Sequence, residues 1–118
     1  MKTKTLVASL LGAVAALAIA QAPATYTATD AAKHVGETAT VMDRVDGVHQ
    51  SGKGNIFLNM GGKYPNQAFT AFIPSSSAAQ FSQPEQFQGR TVAVSGKITL
   101  YHGKAEIIVT SPSQIVAK

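Results

Sequence analysis

The fold is predicted mainly from residues 91–115, TVAVSGKITLYHGKAEIIVTSPSQI. Its first part alternates apolar and polar residues, as a strand with one buried face does; the apolar positions are Val92, Val94, Ile98 and Leu100. The run Tyr-His-Gly-Lys predicts a tight turn in which Gly103 takes a positive φ, and a second strand follows it. Gly96 interrupts the first strand where a small barrel needs a bend or a bulge. The stretch is therefore predicted to close a small β-barrel.

This closing segment resembles the end of OB-fold nucleic-acid-binding domains, whose familiar run is V-x-G-x-I-x-x-Y-x-G-x-x-E-I-x-V-x-x-P-x-Q-I. The segments HVGETATVMDRV (34–45) and IFLNMGGKYPNQAFTAFIP (56–74) extend the likeness to secreted bacterial OB domains of the tRNA-anticodon-binding type. The match covers residues 30–115. The resemblance implies that a single strand binds over the outer face of the second and third strands, flanked by the loops that join strands one to two and four to five.

The order of predicted elements agrees with this resemblance. Strands are predicted at 37–46, 56–60 and 68–73, separated by a glycine-bearing loop (49–55) and a turn-rich connection (61–67). A short or broken helix is predicted from Ser75 to Gly89, and a small N-terminal helix follows Asp30. The predicted fold class is all-β with short helices: a five-stranded OB-fold barrel, a helix between strands three and four, and a small N-terminal helix.

The first twenty residues have the pattern of an export signal. Lys2 and Lys4 precede an apolar run of about fourteen residues, too short for the roughly 20 that span a bilayer, and Ala18-Ile19-Ala20 supplies a cleavage site. The predicted organisation is a signal peptide (1–20), a loose leader (21–28) and the OB-fold domain (29–118), with a periplasmic or secreted location. No membrane association is expected once the signal is cleaved.

We expect the exported protein to begin at Gln21, because cleavage after Ala20 follows the small-residue rule. Intact-mass measurement on protein recovered from the periplasm or the medium checks this expectation. A chain that retains residues 1–20 would contradict both the cleavage and the location.

Composition restricts the kinds of chemistry available. The chain has no cysteine, which excludes disulfides and thiolate catalysis. Residues 21–118 contain eight lysines and arginines against six acids, a net charge of +2, which is mild for a protein that binds polyanions. A low-specificity site of modest affinity is therefore the form of nucleic-acid binding that the charge favours.

Side-chain alternation on the second and third predicted strands locates the candidate site. The predicted inward residues are Ile56, Leu58, Phe69, Ala71 and Ile73. Phe57 and Phe72 then face outward, where aromatic rings can stack bases at about 1–3 kcal/mol per base. Neighbouring amides, aromatics and cations complete the predicted nucleic-acid-binding set: Lys53, Asn55, Phe57, Asn59, Lys63, Tyr64, Phe72, Tyr101, His102 and Lys104. The alternative is that Phe57 or Phe72 packs under a loop or the N-terminal helix, and that the lysines are merely solvated.

Catalytic and metal sites find little support in the sequence. Asp43 and Asp46 have opposite parity on one predicted strand, so they do not converge as a carboxylate pair. The three histidines lack ligand spacing such as HxH or HExxH. The prediction is a non-enzymatic module without metal or cofactor that binds single-stranded nucleic acid or a similar polyanion. The alternative is an envelope or stress module that binds a small ligand, an oligosaccharide or an unidentified protein partner.

Overall fold

The computed structural model describes residues 23–118, so the predicted signal peptide and its cleavage site lie outside the described residues. The described residues form seven strands: β1 (Thr25–Tyr26), β2 (Thr38–Gln50), β3 (Ile56–Met60), β4 (Phe69–Ile73), β5 (Thr91–Tyr101), β6 (Lys104–Ile108) and β7 (Ile115–Ala117). One α-helical turn, α1 (Ser75–Ala78), and three 3-10 turns complete the fold, at Ala31–His34, Pro84–Phe87 and Pro112–Gln114. Within residues 23–118, none of these helical segments has the length and apolar character needed to cross a bilayer.

The strands close into a barrel in the order β2, β3, β4, β6, β5 and back to β2. The β4–β6 pair is parallel, and the other four pairs of the closed barrel are antiparallel. Closure is possible because β2 and β5 are long: each pairs with one neighbour along its first part and another along its second. Five strands closed in this order are consistent with an OB-like barrel, so the all-β, OB-like part of the prediction agrees with the structure.

The barrel interior contains the side chains that strand alternation assigned to it. The inward residues predicted on β3 and β4 are all at most 1% exposed, as are Ala39, Val41 and Val45 of β2 and Val92, Val94 and Ile98 of β5. Removing this apolar surface from water is the main term that stabilises the barrel, since the chain has no disulfide. Leu100 is an exception: it is 56% exposed because it lies beside the tip of the β5–β6 hairpin.

The strand count differs from the prediction of five. The two-residue strand β1 pairs in parallel with β2, and β7 pairs with β5, so each extends the sheet beyond the closed barrel. Ala28 is fully buried, and Tyr26 packs against the same core. Strands of two or three residues carry too little alternation to be detected in a sequence.

The predicted helix between the third and fourth barrel strands is also corrected. The connection contains α1 and the separate turn Pro84–Phe87 instead of one helix. Gln83 between them has a φ of +56°, outside the helical region, and Pro84 starts the second turn. Phe81 and Phe87 still pack against the core, so the connection covers one end of the barrel.

Gly103 has the positive φ that the sequence predicted, and Gly96, predicted to mark a bend or a bulge, has a positive φ as well. Gly96 has a φ of +155° and lies where β5 leaves β2 and begins to pair with β6. Gly103 has a φ of +78° and follows His102 at +49°, so two consecutive residues of positive φ form the hairpin turn. Glycine is favoured at both positions because it has no Cβ.

Candidate functional site

An aromatic row crosses the outer face of four adjacent strands. The backbone register places His49 beside Phe57, Phe57 beside Phe72, and Phe72 beside Ile108. The ring centroids of His49 and Phe57 are 5.9 Å apart, and those of Phe57 and Phe72 are 5.3 Å apart. We call His49, Phe57, Phe72 and Ile108 the aromatic row. It gives the sheet a continuous apolar surface of the kind on which flat rings stack.

A polar row runs parallel to the aromatic row, displaced by two residues along each strand. Asn59, Thr70 and Glu106 are neighbours across β3, β4 and β6, and each is less than 9% exposed. Gln67 Nε2 donates to Thr70 Oγ1 over 3.4 Å, and Thr70 Oγ1 donates to Asn59 Oδ1 over 3.0 Å. We call Asn59, Gln67, Thr70 and Glu106 the polar row. The hydrogen bonds among three of its members hold their side chains in fixed orientations.

The polar row and part of the aromatic row line a groove with a volume of about 710 Å³. The lining contains the whole polar row, His49 and Phe57 of the aromatic row, the buried Ala105, and a rim made of Ser51, Tyr64, Pro65, Tyr101, His102 and Lys104. Tyr64 is 76% exposed and Tyr101 is 57% exposed, so both rings stand at the edge. The ring centroids of Tyr101 and His102 are 4.0 Å apart. A groove of this volume falls within the range of small-molecule sites.

Glu106 gives the groove its charge. Burial raises the pKa of the Glu106 carboxyl above its usual value, and the positive form of His102 opposes part of this shift. The carboxylate makes no ion pair within residues 23–118. Lys104, two residues away on the same face, donates its Nζ to the backbone oxygen of Gln67 over 3.0 Å. A buried carboxylate without a cationic partner reduces stability, and such groups are more frequent at functional sites.

We expect Glu106→Gln to raise the free energy of unfolding at about pH 7 and to change it little below about pH 4. The reason is that the folded protein favours the protonated carboxyl, so wild-type stability decreases as the pH rises through the pKa of Glu106. Urea melts of both proteins at the two pH values measure the difference. Glu85→Gln, which changes an exposed carboxylate on the far connection, is the matched control and should alter neither value appreciably. A variant less stable than wild type at about pH 7 would contradict the expectation.

Six of the ten predicted binding residues line the groove: Phe57, Asn59, Tyr64, Tyr101, His102 and Lys104. Phe72 is half-buried outside the groove and contacts Phe57 in the aromatic row. Lys53 and Lys63 are exposed in the two adjoining loops. Asn55 accepts a hydrogen bond from the backbone N–H of Ser75 over 2.8 Å, so its side chain joins two segments of the fold.

The structure adds five polar residues to the groove that sequence reasoning did not select: His49, Ser51, Gln67, Thr70 and Glu106. His49 was assigned to a loop, but β2 continues to Gln50 after a register shift between Val45 and Gly47. Alternation on β4 places Thr70 on the outer face, between the inward residues Phe69 and Ala71. Alternation on β6 likewise places Glu106 outward, between the inward residues Ala105 and Ile107.

The carboxylates considered as catalytic candidates have structural roles. Asp43 accepts hydrogen bonds from the backbone N–H groups of Ala28 and Arg44, at 3.0 and 2.8 Å. Asp46 accepts from the N–H of Gly62 over 2.8 Å. In the part of the chain that the structure describes, no three His, Asp or Glu side chains come together as a possible metal-binding group.

Comparison with solved structures shows that the fold is shared with longer proteins. The chain matches a crystal structure described as that of an aspartyl-tRNA synthetase from Leishmania major Friedlin, with a TM-score of 0.56 and 14% identity. The match covers 82% of this chain and 21% of the synthetase chain. This chain therefore spans about a fifth of the length of that protein.

Two structures from Entamoeba histolytica, each with a TM-score of 0.49, are more distant. The aspartyl-tRNA synthetase is 21% identical, over 72% of this chain and 19% of its own. The asparaginyl-tRNA synthetase, in complex with asparaginyl-adenylate, is 17% identical over 81% of this chain and 24% of its own. No protein-family model matches the chain, and no curated protein is similar to it.

Proposed function

We propose that this protein is a binding module for single-stranded nucleic acid, and that it binds through the outer face of β3, β4 and β6. The observation that carries the proposal is the pairing of the aromatic row with the polar row in one groove. A base needs a ring face to stack on and polar atoms at its edge, and single strands expose both. The likeness in fold to an aspartyl-tRNA synthetase, a protein named for its tRNA substrate, supports the same class of ligand.

The distribution of charge supports a site that binds mainly by stacking. Lys53, Lys63 and Lys104 lie around the face, whereas the net charge of residues 21–118 is only +2. Few phosphate contacts can form with so few cations, so non-specific electrostatic attraction is weak. We therefore propose low-specificity binding of modest affinity, by a protein that is exported and is not an enzyme.

We expect a short single-stranded oligonucleotide to bind in the micromolar range or more weakly, and Phe57→Ala and Phe72→Ala each to weaken binding by about 1–3 kcal/mol. The dependence of affinity on salt should change little in these variants, because stacking releases no counterions. Fluorescence anisotropy with labelled DNA and RNA at two salt concentrations measures both quantities. Val116→Ala removes a half-exposed apolar side chain from β7, which is not part of this face, and is the matched control.

Lys53→Ala and Lys104→Ala should instead reduce the slope of log affinity against log salt by about one for each phosphate contact that is lost. Lys97→Ala is the control, since this exposed lysine lies on the part of β5 that pairs with β2. Unchanged slopes in both loop variants would show that these lysines make no phosphate contact.

A second candidate function is supported by the volume and enclosure of the groove, which also suit a small ligand or a sugar. The salt dependence of the affinity distinguishes the two candidate functions. The affinity of a sugar site changes little with ionic strength, whereas phosphate contacts weaken steeply as salt increases. Failure of every strand to bind at low salt would overturn the nucleic-acid proposal. The small-ligand or protein-partner module would then be the better assignment.

A further inference from the structure

The groove presents hydrogen-bond acceptors that the protein itself does not satisfy. Gln67 Oε1 is buried and has no hydrogen-bond partner within the described residues, and Gln67 is only 7% exposed. The Glu106 carboxylate, in a residue 8% exposed, has no ion pair among residues 23–118. Both residues line the groove. Gln67 Oε1 lies below the accessible surface of the groove, so the Glu106 carboxylate is the acceptor that a ligand can reach, and a ligand that fits this site must bring N–H or O–H groups to it.

The same carboxylate determines which part of a nucleotide enters. The negative charge of Glu106 repels a phosphate, so the backbone is directed to the rim, where Lys104 lies, and to the adjoining loops that carry Lys53 and Lys63. The base is then the part that faces Glu106. Phe57, Tyr64 and Tyr101 line the groove and offer ring faces to it.

The bases differ in the hydrogen-bond donors that they can offer to a carboxylate in this groove. Uracil and thymine present one N–H between two carbonyl oxygens, and those oxygens would face the carboxylate. Adenine and cytosine present one amino group beside a ring nitrogen that is itself an acceptor. Guanine presents N1–H next to the N2 amino group, and the two oxygens of one ionised carboxylate can accept both donors together.

We propose that the groove selects guanine in a single strand, with Glu106 accepting from N1–H and the N2 amino group. This assignment rests on the proposed function and narrows it to one base. The polar row then sets the base preference, and the aromatic row contributes stacking that any base can use.

The test uses labelled strands of about twelve thymidines, within the site size of one OB fold, that differ only in a central dG, dA, dC or dT. For the wild-type protein we expect the dG strand to bind about tenfold more tightly than the other three, as a good bidentate contact allows. Glu106→Gln should abolish the preference for the dG strand over the dT strand. Glu85→Gln, which changes an exposed carboxylate far from the groove, should keep the full preference. Because Glu106→Gln is expected to be stabilising, loss of the preference cannot be attributed to unfolding.

Equal affinities for the four strands in wild type, or a preference that survives in Glu106→Gln, would overturn the guanine assignment and leave the proposed function intact. If no strand binds but GMP does, and Glu106→Gln loses GMP, the guanine assignment stands and the strand-binding function fails. If neither GMP nor any strand binds at low salt, both proposals fail.

Discussion

Ile107→Ala is expected to lower the free energy of unfolding by about 2–4 kcal/mol, the usual cost of removing a large buried aliphatic side chain. Ile107 is fully buried on β6, opposite Ile98 of β5 and beside Ala71 of β4. Its side chain therefore lies where the parallel and antiparallel parts of the barrel meet. Val94→Ala, on the opposite part of β5, is expected to cost a similar amount for the same reason. A domain of this length is stable by only about 5–15 kcal/mol, so either change removes a large share.

The next residue on the same strand provides the control. Ile108 is 47% exposed and lies in the aromatic row, so Ile108→Ala should cost less than about 1 kcal/mol. Denaturant melts monitored by circular dichroism give both values. Losses below about 0.5 kcal/mol at both Ile107 and Val94 would show that the assignment of inward and outward faces is inverted.

Gly96→Ala is expected to destabilise the fold by about 2–5 kcal/mol, from backbone strain and overpacking together. A Cβ at this position would lie 2.7 Å from Ile107 Cγ2 and 3.2 Å from Gln114 Nε2. Gln114 cannot move away without loss, because its Nε2 donates to the backbone oxygens of Ser95 and Ile108. The φ of +155° is itself unfavourable for alanine.

Gly47→Ala is the matched control for this change. Gly47 lies at the register shift of β2, and a Cβ there would meet nothing within 4 Å. Its substitution should change the free energy of unfolding by less than about 1 kcal/mol. Thermal and urea melts give the loss of unfolding free energy in each variant. A larger loss for Gly96→Ala than for Gly47→Ala indicates a local packing effect and not a general cost of alanine in a bent strand. Equal losses at both glycines would contradict the role assigned to Gly96.

Glu106 connects the stability and the proposed binding function of the molecule. Its carboxyl group is partly desolvated and has no cationic partner among residues 23–118. We therefore expect the ionised form to lower the free energy of unfolding of the wild-type protein at neutral pH. A residue that reduces stability and improves ligand selection is typical of binding and catalytic sites. The same substitution, Glu106→Gln, therefore yields two independent measurements, one of stability and one of base preference.

Local sequence patterns were sufficient to predict a small β-barrel and the inward or outward orientation of most of its strand residues. The alternation of Val92, Val94 and Ile98 marks a half-buried strand because successive side chains point to opposite faces, a local property of any extended chain. Gly96 and Gly103 mark a bend and a turn because their backbone conformations disfavour a Cβ. Leu100 followed the same alternation and was predicted inward, yet it is exposed, since its position near the hairpin tip depends on the rest of the fold.

Tertiary structure decided which residues meet in the groove. Glu106 lies beside Thr70 because β4 and β6 pair in parallel, although the two residues are far apart in sequence. His49 reaches the aromatic row because β2 continues past a register shift, which local alternation does not reveal. Gln67 is buried in the lining of the groove, where its side chain hydrogen-bonds to Thr70. Each of these contacts depends on pairing between strands that are distant in sequence. Local patterns therefore predict the strands and their faces, but they do not predict the groove, its buried acceptor or its charge.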